Sequence, residues 1–326
     1  MGVDAGEEKP VLVISRCLGF EACRWNGEII RDDFVELLAR RVKCLTVCPE
    51  VEIGLGVPRD PIHVECRKGE LRLVQPSTGR DVTGEMKDFC RGFLDSLGEV
   101  DGFLLKARSP SCGLRDVKIF PYGKSDVGAM DKGPGFFGGE VIRRFPLHPA
   151  ESEGRLKNFR LREHFLVRIF TLARFREAAC KGTVGSLVDF HSRHKFLLMS
   201  YNQRALKELG RLVANPDRHR TEELFESYRE GLLRALARPP RYTSNVNVLM
   251  HALGYFSNHL TKGEKAHLLD ALRRYAEKRI PLSVPVKIVN SWIRRFDEKY
   301  LAGQAYFRPY PEELAMIGDS GKEGDL

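Results

Sequence analysis

The chain has 326 residues, 42% of them hydrophobic, enough for two domains that each bury a core. Its formal charge of +9 is unevenly shared: residues 1–150 hold 22 Lys and Arg against 23 Asp and Glu, whereas residues 151–326 hold 31 against 21. That excess attracts polyanions by counterion release and long-range steering, and the lack of any apolar run of about eighteen residues excludes a membrane-spanning helix.

The N-terminus, MGVDAGEEKP, is polar and acidic, with no stretch of signal-peptide type. A cytoplasmic location is expected, and with it reduced cysteines, so that clustered ones read as metal ligands rather than disulfides. Val11–Ser15 (VLVIS) reads as a short buried strand. Asp32–Arg41 has helical spacing with acidic residues in its first turn, which suit the helix dipole. Val42–Val47 reads as a second strand and Leu71–Gln75 as a weaker third. Thr83–Leu97 is expected to be a helix with Thr83 as N-cap. Gly102–Ala107 (GFLLKA) is again a strand, and Phe137–Phe145 a helix. Strands separated by helices predict an α/β domain with a mainly parallel sheet, spanning residues 10–148.

Pro146–Asn158, with two prolines, a glycine and mixed charge, reads as a linker. Beyond it the pattern is helical, with helices near 159–180, 186–212, 221–237, 244–260, 263–278 and 285–301, punctuated at Asn215-Pro216, Pro239-Pro240 and Pro281. An all-helical domain is therefore expected over residues 158–313. The tails Met1–Lys9 and Gly318–Leu326 read as disordered.

Seven of the eight cysteines lie before residue 150. Cys17 follows the first strand, with Cys23 six residues later. Cys48 follows the second strand, and Cys112 the GFLLKA strand. Loops after the C-termini of parallel strands converge on one sheet edge, where ligands bind. Such a thiolate set suits zinc or an iron–sulfur cluster. Paired CxxC knuckles of a structural zinc site are absent, and single cysteines from separate loops fit a cluster better. Spacing alone leaves cluster, zinc and plain buried thiols open. If only three thiols bind, one iron keeps a position for substrate. Cys44, Cys66, Cys90 and Cys180 read as small buried hydrophobes. Glu50 follows Cys48-Pro49, and Ser109 and Ser111 flank Pro110 before Cys112. A carboxylate there can move protons and a hydroxyl can hydrogen-bond a reacting atom. A loop salt bridge and turn-capping hydroxyls are the plainer alternatives. Pro58-Arg59 and Lys106-Ala-Arg108 add basic groups near the same edge.

SRCLGFEACRWNG, CPEVEIGLGVPR and KARSPSCG resemble the thiouracil desulfidase family over roughly residues 10–150. The resemblance implies a desulfidase with a 4Fe-4S cluster held by three cysteines, whose fourth iron takes the thiocarbonyl sulfur while water replaces it at the ring carbon, without net redox change. Residue by residue, it implies Cys17, Cys48 and Cys112 as ligands, with Cys23 able to replace one of them. Glu50 is implied as acid/base, with Ser109, or Ser111 as alternative, assisting. The helical half resembles a domain often fused behind this one, in HKFLLMSYNQ, ELGRLVAN, NVNVLMHALGYFSNHL, RIPLSVPVKIVNSWI and YLAGQAYFRPYPEEL. The pair is similar to bacterial tRNA 4-thiouridine desulfidases, which implies tRNA or other thiolated RNA as partner. No obligate protein partner is evident.

Basic residues in those stretches, Arg193, Lys195, Arg204, Arg211 and Arg241, are the expected RNA contacts, with an ordinary solvated face as the alternative for any one of them. Tyr201, Tyr242, Tyr255, Phe256, Tyr306, Phe307 and Tyr310 are interleaved with the basic residues as stacking groups would be, although each alone reads first as core packing. His191 and His194, at i,i+3, lack a third ligand at suitable spacing and read as structural or RNA-facing. Two other functions remain in view: a desulfidase of free thiouracil or thionucleosides, and a metal-bearing RNA-binding or sensor protein without turnover. A radical or redox cluster enzyme ranks last, since CxxxCxxC does not occur.

Overall fold

The computed structural model describes residues 8–124, 128–214 and 220–315. The Asn215-Pro216 break, residues 1–7 and Gly318–Leu326 lie outside them. The chain forms two compact units, Met1–Ala173 with Glu313–Leu326, and Arg174–Glu312.

The first unit is built on a four-stranded sheet of β1 (Val11–Ser15), β2 (Lys43–Val47), β6 (Gly102–Leu105) and β9 (Ala150–Ser152). Its order is β2-β1-β6-β9 and every pairing is parallel. α1 (Asp33–Ala39) carries the chain from β1 to β2; Asp32 caps it, its Oδ1 accepting the N–H of Val35 at 3.1 Å. β6 then pairs on the other side of β1, so the connections diverge at the C-terminal ends of β1 and β6. That is the switch point at which open α/β sheets bind ligands.

A second, mixed sheet runs β5-β4-β3-β7-β8. Its strands are β3 (His63–Arg67), β4 (Glu70–Gln75), β5 (Arg80–Asp81), β7 (Val117–Pro121) and β8 (Asp131–Gly133). Of these the sequence pattern revealed only β4. The others are two to five residues long and carry charges, too little for a periodicity to register. α3 (Thr83–Ser96) and α4 (Phe136–Arg144) pack on the core through Met86, Cys90, Leu94, Phe137 and Val141, beside Val13, Phe103 and Leu73. Each large apolar side chain buried this way contributes roughly 1.5–3 kcal/mol. Thr83 is not the N-cap of α3: that position is Val82. The Thr83 hydroxyl instead accepts the N–H of Leu73 at 2.8 Å, tying the helix to β4.

α5 (Phe159–Lys181) contains the division between the units, which falls at Ala173 rather than in the proline-bearing segment before it. The second unit is all helical. It holds α6 (Val184–Tyr201), α7 (Gln203–Ala214), α8 (Thr221–Ala235), α9 (Tyr242–Tyr255), α10 (Lys262–Ala276), α11 (Ser283–Arg295) and α12 (Lys299–Ala302). The helix expected over 186–212 is two: Asn202 is extended, and its Oδ1 accepts the N–H of Arg204 and of Ala205, both at 3.1 Å, starting a new helix. The helix expected over 285–301 also breaks, at Asp297, whose φ of 49° is left-handed; Glu298 then caps α12. In the core, Phe175 stacks on Tyr228 at 5.6 Å, and buried Asn245 donates to the Tyr275 hydroxyl and accepts from that of Tyr306. No helix among the described residues is long and apolar enough to cross a membrane.

Candidate metal centre

β1 ends at Ser15 and β2 at Val47, so Cys17 and Cys48 leave neighbouring strands within two residues of their ends. Cys48 is the N-cap of α2 (Pro49–Glu52), where Pro49 suits the first helical position. Cys112 arrives on the loop after β6. Cys23 is held by the turn after Cys17, and its carbonyl faces the Cys48 thiol at 3.7 Å. Cys23, Cys48 and Cys112 are buried and Cys17 is half-buried.

The thiols act on one another. A hydrogen bond with Cys17 and burial push the Cys23 thiol up to about 11, against an opposing hydrogen bond from Cys48. The bond with Cys23, then burial, raises Cys48 far above the ordinary thiol range. Burial pushes Cys112 up to about 12, while the Ser15 and Ser111 hydroxyls pull the other way and Cys48 adds repulsion. Thiols so reluctant to ionise lose their protons to a metal, which supplies the missing positive charge.

The Cys112 loop is shaped by α4. The Gly135 N–H donates to Gly113 O, Phe136 to Pro110 O, and Phe137 and Gly138 to Ser111 O, at 2.8–3.1 Å. A helix start thereby spends its unpaired N–H groups on a loop of carbonyls. The approach is close enough to need glycine. A Cβ on Gly135 would meet Pro110 O and Ser111 O at 2.6 Å, and one on Gly138 would meet Gly113 O at 2.2 Å. The glycines of KGPGFFGG are the signal of this contact in the sequence.

Glu50 lies two residues after Cys48 and is buried. Its Oε2 accepts from Arg59 Nε at 3.0 Å and Nη2 at 2.7 Å. Arg59 also donates to Gly56 O and Cys23 O, which joins the carboxylate to the thiol turn. The Glu50 Oε1 faces two hydroxyls, Ser111 Oγ at 2.6 Å and Ser109 Oγ at 3.3 Å, themselves 2.9 Å apart. Ser109 Oγ accepts the N–H of Cys112, and Ser111 Oγ lies 3.8 Å from the Cys112 sulfur. Ser111 is wholly buried, whereas Ser109 is half-buried and can be reached by a ligand.

Thus Cys17, Cys23, Cys48, Cys112, Glu50, Ser109 and Ser111 come together, and Arg59 completes the group. The donor chemistry fits an iron–sulfur group: buried thiols on separate loops, with a carboxylate and two hydroxyls beside them. Cys44, Cys66 and Cys90 lie in β2, β3 and α3, and Cys180 is exposed on α5. Among the described residues no three His, Cys, Asp or Glu side chains form a site for a single metal ion. His194 is buried, with Nδ1 2.7 Å from Phe190 O, and His191 Nδ1 meets the Tyr228 hydroxyl at 2.9 Å, so both are packing groups of α6.

The five basic candidates of the helical unit are all exposed: Arg193 and Lys195 on α6, Arg204 and Arg211 on α7, and Arg241 capping α9. Arg193 is paired with Asp189 and Arg204 with Glu208, each on its own helix. Lys195, Arg211 and Arg241 have no carboxylate partner among the described residues. Of the aromatic candidates, Phe256, Tyr306 and Phe307 are core residues and cannot stack on a ligand, while Tyr255 is 46% exposed.

Residues 12–153 match the family model 2-thiouracil desulfurase, and residues 195–311 match a family described as a protein of unknown function, DUF1722. The chain is 31% identical over 155 residues to the uncharacterized protein YbgA of Escherichia coli strain K12, covering 46% of this chain and 90% of that one. It is 30% identical over 110 residues to the uncharacterized protein YbbK of Bacillus subtilis strain 168, covering 32% of this chain and 73% of that one. A solved structure of the 4Fe-4S-dependent thiouracil desulfidase TudS is 30% identical, and the match covers 45% of this chain and 93% of that one at a TM-score of 0.36.

Proposed function

We propose that this chain, which belongs to the 2-thiouracil desulfurase family, removes sulfur from 4-thiouridine in tRNA, exchanging the thiocarbonyl sulfur for water's oxygen and releasing hydrosulfide. The observation that carries the reading is the convergence of four thiols on Glu50, Ser109 and Ser111 at the switch point of a parallel sheet. Cys17, Cys48 and Cys112 would hold a 4Fe-4S cluster, which supplies a Lewis-acidic iron for the sulfur. Cys23, fully buried, supports the Cys48 thiol.

The remaining chemistry belongs to the chain. Arg59 fixes one oxygen of Glu50 and leaves Oε1 toward the hydroxyls. That oxygen is placed to take a proton from the attacking water, directly or through Ser109, and to return it to the departing sulfur. Ser109, the reachable hydroxyl, orients the reacting group, and Ser111 holds Glu50 from behind. The sum is thiocarbonyl plus water giving carbonyl plus hydrogen sulfide, balanced without an external electron donor.

RNA rather than a free base is supported by the basic excess of the C-terminal half. Lys195, Arg211 and Arg241, exposed and without carboxylate partners among the described residues, are its first phosphate contacts. The test is to purify the protein without oxygen, reconstitute iron and sulfide, and incubate it with bulk bacterial tRNA, free 2-thiouracil and free 4-thiouridine. Nucleosides are then quantified by mass spectrometry. Loss of 4-thiouridine from tRNA is expected, and it should vanish in Glu50→Gln while RNA binding persists. A fully loaded cluster with unchanged tRNA 4-thiouridine refutes the reading. Turnover of the free base alone moves the substrate to small molecules.

A further inference from the structure

On the other side of the Cys112 loop, the second sheet forms one wall of a cavity of about 630 Å³. Arg108 and Pro110, the residues either side of Ser109, line it, together with His63, Lys118, Phe120 and Lys132. Strand alternation explains the row. Val117 and Ile119 of β7 point into the core, so Lys118 and Phe120 point away from it.

Two features of this face lack an internal explanation. Lys118 and Lys132 stand directly opposite each other in the antiparallel β7–β8 pair, and neither has a carboxylate partner among the described residues. Like charges so placed destabilise a sheet unless an anion lies between them. His63 Nδ1 is buried without a hydrogen-bond partner, and the ring stacks on Phe120, centroids 4.9 Å apart and 24° from parallel. Burial lowers the His63 pKa, which favours a neutral ring with a donor or acceptor to spare. Of the acidic groups nearby, Asp116 is engaged with Arg108, and Glu65 is buried and accepts the N–H of Gly123.

We infer that this cavity is an RNA-contacting surface on the thiol-bearing unit, where Lys118 and Lys132 take phosphates of the strand next to the reacting nucleotide and the His63–Phe120 pair receives a neighbouring base. A cationic row beside flat rings is how single-stranded nucleic acid is held without sequence readout. Arg108 and Pro110, which line the cavity, flank Ser109 in the chain, so the cavity borders the loop that carries the reactive group. The inference rests on the tRNA reading of the function, and it places part of RNA recognition outside the helical unit.

The test uses the full chain with its cluster loaded, as wild type and as Lys118→Gln/Lys132→Gln. Binding of an unmodified tRNA transcript is measured across salt concentrations. The slope of log Kd against log salt should become shallower by about 1.4, two single-strand phosphate contacts at about 0.7 each. Turnover of thiolated tRNA should fall roughly tenfold in kcat/KM, and that of free 4-thiouridine should not change. Removing the opposed charges should leave Tm at or above that of wild type. An unchanged slope overturns the inference, and so does an equal loss on free 4-thiouridine, which would put the lysines at the reacting nucleotide. If wild type leaves tRNA 4-thiouridine intact yet the slope still drops, the proposed reaction fails and the RNA surface stands.

Discussion

Gly138→Ala tests whether α4 sets the position of Cys112. The added Cβ would lie 2.2 Å from Gly113 O, 2.6 Å from Cys112 O and 2.8 Å from Gly113 C. All three are backbone atoms, which cannot rotate away. Restoring an ordinary contact separates helix and loop by about 1 Å. Overpacking of this kind costs roughly 1–3 kcal/mol, and at about 2–4 °C per kcal/mol in a unit of this size Tm should fall by roughly 2–12 °C. The same displacement moves the Cys112 thiol away from the other three, so iron and acid-labile sulfide per chain after anaerobic reconstitution should fall too if Cys112 is a ligand as proposed. Gly139→Ala, next door in the same helix, is the control. Its Cβ would meet only Pro134 side-chain carbons at 3.4 Å, and alanine favours a helix by up to about 1 kcal/mol. Its Tm and iron content should match or exceed those of wild type. A Gly138→Ala protein with wild-type Tm and full iron would refute the argument.

Two further predictions concern buried charge. Arg59→Met strips Glu50 of its buried partner and should cost about 3–5 kcal/mol in chemical denaturation, with Arg59→Lys in between because an ammonium cannot reproduce the forked contact; equal stability of Met and Lys variants would argue against it. His194 is held neutral, its pKa lowered to about 3 by burial and by Arg174, against 6.5 in the unfolded chain. Its contribution is intact above about pH 6.5 and is lost as pH falls toward 3, because only the unfolded chain takes up the proton, with a slope of at most about 1.4 kcal/mol per pH unit. Denaturation midpoints of His194→Gln between pH 7 and 5 should therefore fall less steeply than those of wild type, and parallel curves would remove His194 as a cause.

The parallel sheet and its thiol-bearing edge were legible in the sequence because β1, β2 and β6 are apolar runs, each followed by a cysteine loop. Long helices were legible for the same reason. What escaped depended on contacts distant in sequence. Asn202 looks like any polar residue until its side chain is seen to start a helix. Arg59 reads in the sequence only as a basic group near the sheet edge, and the turn that delivers it to Glu50 gives it a role. Phe256, Tyr306 and Phe307 sit among basic residues in the sequence and face inward, the core packing expected of each alone. Gly135 and Gly138 reveal their purpose only when α4 is laid against the Cys112 loop.

Cys48 caps α2 and Glu50 lies in its first turn. The separation between the thiol and the carboxylate is thereby set locally, within two residues at a helix start, and not by how well distant loops meet. Breathing of the sheet edge moves both groups together. Alignment between them survives fluctuations that would blur a site assembled wholly from separate loops, and motion then enters through the segments that carry Cys17, Arg59 and Cys112.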